Sequence, residues 1–304
     1  MKVVFVVGPT ASGKSDLALF LAEKFQGALV NCDSVQLYKS LDIGSSKPST
    51  EDFQRAPHFL YDYVPEGQEM TAGRYQIDFF ETMKKIEGKF PIAFVVGGTG
   101  FYFQAIEKGM YPIGPADEGI KRQVEKELAE EGGAEKLYAE LQHKDPMAAA
   151  KISPNDLYRI ARAVEMMRAH GRAVSEIKKE FDQQAKPFPY PLQKIGLKIS
   201  KEELLPKVEK RTQQMLKKGL VREVRSLLER GLKDWGPLQS VGYKECLEFL
   251  TGEIQSEAKL SAQIVQSTMR LAKRQRTWFQ RDLEIQWFAP GSQGEAEALV
   301  LDFL

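Results

Sequence analysis

Residues 8–15 read Gly8-Pro9-Thr10-Ala11-Ser12-Gly13-Lys14-Ser15 and satisfy G-x-x-x-x-G-K-[ST] at every fixed position. Glycines at both ends let the backbone curl, so that successive N–H groups between them can point inward at an anion. Lys14 adds a mobile positive charge, and the Ser15 hydroxyl suits a Mg2+ ligand. The chemistry of such a loop is the binding of a diphosphate-like group. Its spelling does not say whether a nucleotide carries that group.

Other residues could act beside it. Residues 27–36 read as a strand ending in a polar cluster, in which Asp33 opens Asp33-Ser34-Val35-Gln36. It can act on a substrate, cap the chain, or hold metal-bound water. Gly97-Gly98-Thr99-Gly100 permits a close backbone approach to a ligand, or forms a tight turn without one. Arg159 and Arg162 are i, i+3 neighbours, with Arg168 and Arg172 further on. Residues 270–281 hold five basic side chains (270, 273, 274, 276, 281) and no acidic one. Both basic faces can be simply solvated, or can neutralise nucleic-acid phosphates. His58 reads as a packing residue, and Trp278 and Phe279 read as core.

The elements that must position these groups follow from the hydrophobic pattern. Residues 3–7 are an unbroken apolar run, expected of a strand buried on both faces, and 16–22 have helical periodicity. Strand texture returns at 27–31, 91–96, 194–199 and 285–288, while residues 57–58 read as irregular. Helices are expected at 71–87, 201–231 with Arg211 inside, 245–250 and 256–281, followed by a linker and a short tail helix. Between Pro112 and residue 189 the texture turns helical, opened by Pro112, Gly114 and Pro115 and closed by KPFPYP. The expected class is α/β: a P-loop NTPase-like parallel sheet flanked by helices, with a helical insertion domain. The core would comprise 1–111 and 190–304, and the insertion 112–189.

Composition bounds the function. The chain has 304 residues, 42% hydrophobic and 28% charged, ordinary for a globular protein. Lys+Arg 43 against Asp+Glu 42 leaves a net charge of +1, so overall charge does not argue for a nucleic-acid partner. Cys32 and Cys246 have no metal-ligand spacing and are expected as reduced thiols. The N-terminus reads as a strand and not a signal peptide, and no apolar run is long enough for a membrane span. A cytoplasmic monomer with no membrane partner is the expectation.

Six motifs then occur in a telling order: GPTASGKS at 8–15, DSVQ at 33–36, DIGSSKP at 42–48, VGGTGFY at 96–102, VGYKE at 241–245 and AKRQRTWF at 272–279. In this the chain resembles the bacterial tRNA isopentenyltransferase family over nearly its whole length. The resemblance implies transfer of a dimethylallyl group from dimethylallyl diphosphate to N6 of the adenosine 3′ of the tRNA anticodon, with Mg2+. It implies that Gly8, Thr10, Ala11, Ser12, Gly13, Lys14, Ser15 and Arg211 hold the diphosphate, with Ser15 on the metal. Asp33 would be the general base and Thr99 a donor to the bridging oxygen.

For the anticodon stem-loop the same resemblance implies contacts from Asp33, Ser34, Val35, Gln36 and Thr99. It adds Lys121, Tyr158, Arg159 and Arg162 in the insertion, then Gln239, Gly242, Tyr243, Lys244, Lys273, Arg274, Gln275, Arg276, Trp278 and Gln280. Tyr158 stands where relatives have Gln, and Lys121 where Arg is frequent. Two alternatives use the same residues: a P-loop kinase of a small metabolite, and an RNA-binding module without catalysis, in which Asp33 and Thr99 are structural.

Overall fold

The computed structural model describes residues 1–110 and 117–304. In chain order its elements begin β1 (Lys2–Val7), α1 (Lys14–Lys24), β2 (Ala28–Asn31), α2 (Thr50–Arg55), β3 (His58–Phe59), α3 (Ala72–Ile86), β4 (Ile92–Gly97) and α4 (Gly100–Lys108). Five helices follow: α5 (Glu118–Ala129), α6 (Gly133–Lys144), α7 (Pro146–Ala149), α8 (Leu157–His170) and α9 (Val174–Gln184). The chain ends with β5 (Leu192–Leu197), α10 (Lys201–Lys218), α11 (Leu220–Glu229), α12 (Tyr243–Leu250), α13 (Glu257–Phe279), β6 (Gln286–Phe288) and α14 (Gln293–Phe303).

These fall into two compact units, Met1–Glu107 with Phe188–Leu304, and Lys108–Pro187. The expected start of the insertion, at 112, lies outside the described residues.

The first unit is built on one parallel sheet of order β3-β2-β4-β1-β5-β6. β1 lies inside it and is buried on both faces, which is why residues 3–7 are uniformly apolar. On one side Val4, Val6, Phe94 and Ile195 pack with Leu17 and Leu21 of α1 and Ala296 and Val300 of α14. On the other side Phe5 meets Phe103 of α4 at 4.9 Å between ring centroids, and Phe103 meets Phe279 of α13 at 5.7 Å. The register pairs Val7 with Gly97 and with Gly196, and Asn31 with Val96. The carboxyl ends of β1, β2 and β4 are therefore level, and the loops that leave them share one edge, where ligands of parallel sheets collect.

Three local readings change. Residues 57–58, expected to be irregular, supply the short edge strand β3, where His58 pairs with Leu29. The helix expected over 201–231 is two, broken at Gly219, whose φ of 102° belongs to a helix C-cap. The tail is a full packing element, with Ala296 and Val300 completely buried.

The second unit closes its own core around Val124, Leu137, Leu141, Ile160 and Val164. Arg168 donates to both Glu127 and Glu140, joining α8 to α5 and α6. It is a structural cation, and not part of the open basic face considered from sequence.

Candidate functional site

The P-loop lies at the level edge of the sheet. Gly13, with φ of 92°, turns the chain into α1, and its left-handed backbone is one that side chains resist. Behind it the first turn of α1 leaves N–H groups without helical acceptors, an anion-binding terminus. A cavity of about 230 Å³ opens here, lined by Thr10, Ala11, Gly13, Lys14, Ser15, Asp16, Asp33, Gln36, Ser45, Ser46 and Arg211. Burial lowers the Lys14 ammonium to about 8, Asp33 works against that shift, and Arg211 adds to it. Burial also lowers Arg211, with Asp33 opposing. Two cations thus face one carboxylate in a half-enclosed chamber, a field that an added polyanion would complete.

Neighbouring turns set the side chains. Asn31 accepts from Asp33 N at 3.0 Å and donates to Asp33 O at 3.2 Å and Leu60 O at 2.9 Å, which fixes the turn after β2. Asp33 Oδ1 accepts from Val35 N at 2.9 Å, while Oδ2 has no protein donor among the described residues. The carboxylate therefore caps its turn with one oxygen and keeps the other for the chamber. Gln36 Nε2 donates to both Ser45 O and Ser46 O at 3.0 Å, so its carbonyl oxygen is the end left to read a ligand. Arg211, on α10, donates to Thr10 Oγ1 at 2.9 Å.

Thr99 does not line the chamber that holds Asp33. Its Oγ1 accepts from Ser34 N at 2.9 Å and donates to Ser34 Oγ at 3.2 Å, one residue from Asp33. The glycines around it have a steric cause. A Cβ on Gly97 would stand 2.0 Å from Cys32 O, one on Gly98 2.2 Å from Gln275 Nε2, and one on Gly100 2.1 Å from Trp278 Cδ1. They admit the turn after β2 and helix α13, which neither reading of GGTG anticipated.

A second cleft, about 90 Å³, shares Thr10, Asp33, Ser45 and Arg211 and continues along Val208, Met215, Ile264 and Leu271. The chamber and the cleft thus share a carboxylate and a cation, and the cleft adds aliphatic side chains.

The α13 face carries exposed Arg270, Lys273 and Arg274, none paired with a carboxylate among the described residues. Gln239, Lys244 and Gln280 are exposed, and Arg276 and Trp278 are half-buried. Two residues expected to touch RNA are enclosed in the structure. Tyr243 is fully buried: its hydroxyl donates to Glu223 Oε1 at 2.7 Å and accepts from Ser45 N at 3.2 Å, and a Cβ on Gly44 would strike its ring. Gln275 is buried between the P-loop and Gly98. Gly242, beneath Tyr243, is buried as well. Glu223, which also accepts from Ile43 N at 2.8 Å, carries no motif signal and could be found only by folding the chain.

In the second unit Tyr158 is 79% exposed, and Lys121 and Arg159 are exposed. Arg159 pairs with Asp156 and Arg162 with Glu165. The one candidate metal cluster among the described residues, Glu107, Asp282 and Glu284, already surrounds the Lys194 ammonium at 2.6, 2.8 and 2.8 Å. The cation there is the protein's own.

Residues 36–282 match the IPP transferase family profile, and residues 1–67 match that of isopentenyl transferase. The chain is 54% identical to a tRNA dimethylallyltransferase of Bdellovibrio bacteriovorus, over 97% of this chain and 95% of that one. The tRNA isopentenylpyrophosphate transferase of Bacillus halodurans superposes with a TM-score of 0.72 at 30% identity, covering 99% of this chain and 96% of its own. A eukaryotic dimethylallyltransferase captured acting on tRNA gives 0.84 at 26% identity, covering 99% and 79%. None of these supports a small-metabolite kinase. With a family profile matched over most of its length and a 54%-identical relative over nearly all of it, the chain belongs to the tRNA dimethylallyltransferase (IPP transferase) family.

Proposed function

We propose that the protein transfers the dimethylallyl group of dimethylallyl diphosphate to N6 of the adenosine 3′ of the anticodon in tRNA, releasing diphosphate. The observation that carries this reading is a pair of cavities that share Asp33 and Arg211, one formed around the cationic P-loop and the other adding the aliphatic side chains of Val208, Met215, Ile264 and Leu271. A diphosphate ester of a short isoprenoid has that division of polarity.

In the reaction the N6–C1 bond forms as the C1–O bond breaks. The exocyclic amine is a poor nucleophile because its lone pair is delocalised into the ring. Asp33 Oδ2 accepts the N6 proton, while Oδ1 stays on Val35 N and holds the carboxylate in place. Lys14, Arg211 and the P-loop amides receive the charge that develops on the leaving diphosphate. Thr99 would turn its hydroxyl from Ser34 Oγ to the bridging oxygen. Ser15, Asp16 and Asp33 are all oxygen donors lining the chamber, a set that fits Mg2+. Ser15 would hold the ion, which when bound supplies further positive charge to the diphosphate.

The adenine must leave its stack to reach the chamber, at a cost of a few kcal/mol. Ser34, Val35 and Gln36 would meet it, with Gln36 offering an acceptor. Gln239, Lys244, Lys273, Arg274, Arg276, Trp278 and Gln280 would hold the loop, and Lys121, Tyr158, Arg159 and Arg162 of the helical insertion the anticodon stem. Among the described residues no helix is long and apolar enough to cross a membrane; a cytoplasmic monomer remains part of the proposal.

The test is incubation with labelled dimethylallyl diphosphate and unmodified tRNA. Label appearing at that one adenosine supports the reading; label absent from RNA, or ATP consumed in its place, overturns it.

A further inference from the structure

We infer that Gln275 is a positioning residue of the diphosphate site, built into the RNA-facing helix, and not an RNA contact. The inference rests on the P-loop holding diphosphate. Gln275 is 9% exposed, too enclosed to present its amide to a macromolecule. Its Oε1 accepts from Thr10 N at 2.8 Å, and its Nε2 donates to Gly98 O at 3.0 Å. One planar amide therefore spans the loops that leave β1 and β4. Thr10 in turn accepts from Arg211 through Oγ1 at 2.9 Å, so the same bridge also sets the residue that aims a cation.

This explains why position 98 is glycine: any Cβ there would stand 2.2 Å from Nε2. It also means that the Thr10 N–H is already engaged. The diphosphate is left to the donors further along the loop and at the start of α1. Gln275 holds the mouth of the loop open and in register, while its neighbours Lys273 and Arg274 point to solvent. Among the described residues the amide's hydrogen-bond partners are thus two backbone atoms.

The experiment measures binding of inorganic diphosphate with Mg2+ by calorimetry, tRNA binding by filter retention, and steady-state kinetics, on the full chain. Gln275→Met keeps the volume and removes both bonds. Losing a pair of such hydrogen bonds should weaken diphosphate binding about 10-fold and raise the KM for dimethylallyl diphosphate in parallel. Affinity for tRNA should stay within about twofold, as expected for a group that makes no RNA contact.

Gly98→Ala displaces the amide from the opposite end and should give a similar loss. Because both changes break one bridge, the double variant should lose little more than either single one. Weakened tRNA binding with diphosphate binding intact would make Gln275 an RNA contact and overturn the inference. Losses that add in the double variant, or no loss in either, would also overturn it. If the unsubstituted protein itself fails to bind diphosphate, the fault lies instead with the assignment of the P-loop.

Discussion

Lys14 offers the sharpest test of the chamber's electrostatics. Burial brings its ammonium down to about 8, against the partial support of Asp33. The protonated form attracts diphosphate and the neutral form does not, so affinity should fall as pH rises through 8. With a pKa near 8, the charged fraction drops from about 0.9 at pH 7 to about 0.1 at pH 9, a loss of about tenfold in binding if only the ammonium form is competent. Diphosphate also changes protonation in this range, and a reference variant is needed to remove that contribution. Lys14→Arg supplies it, because a guanidinium stays charged throughout. The assay is calorimetric titration of both proteins with inorganic diphosphate and Mg2+ at pH 7, 8 and 9. The ratio of wild-type to Lys14→Arg affinity should fall about tenfold across the series. A ratio that stays flat would refute the argument, since it would mean that Lys14 keeps its proton or contributes nothing to binding.

Three further outcomes follow from the geometry. Asp33→Ala should retain diphosphate affinity within a few-fold and lose transfer by about 10²-fold or more in a single-turnover assay, as for removal of a general base; near-normal turnover would remove its assignment. Arg274→Ala, which removes an exposed and unpaired cation, should weaken tRNA binding and reduce the salt slope by about 0.7–0.9, read from filter binding across a KCl series. Lys194→Met leaves Glu107, Asp282 and Glu284 facing one another. Urea unfolding should show a loss of about 2 kcal/mol, less than for a fully buried pair because Glu284 is 77% exposed.

Much of the site could be read along the chain because its parts are local. The P-loop is one continuous strand, turn and helix start, and its positive-φ positions are Gly8, Ala11 and Gly13. Asp33 was likewise readable as a residue at a strand end, beside the loop by the rule for parallel sheets. Composition alone marks a helical texture over 112–189, and the structure has a compact unit at Lys108–Pro187. The periodicity of α13 separated Ile264, Ala272 and Phe279, which are buried, from Lys273 and Arg274, which are not.

The remainder depended on contacts between distant segments. Tyr243 and Glu223 belong to separate helices, yet together they hold the loop at 43–45 whose neighbours fix Gln36. Gln275 sits in a run of cations and is spelled like an RNA contact; only the packing of α13 shows its amide hydrogen-bonded to Thr10 N and Gly98 O. Arg168 looked like one more basic residue until Glu127 and Glu140 closed on it.

By itself, then, the amino-acid order determined the fold class, the anion loop and the pattern of helix faces, because each depends on backbone conformation and periodicity within one segment. Tertiary structure alone decided which polar side chains are spent on holding loops and which are left for substrate. A hydrogen-bonding group has only so many partners, and whether they are taken is settled by residues hundreds of positions away.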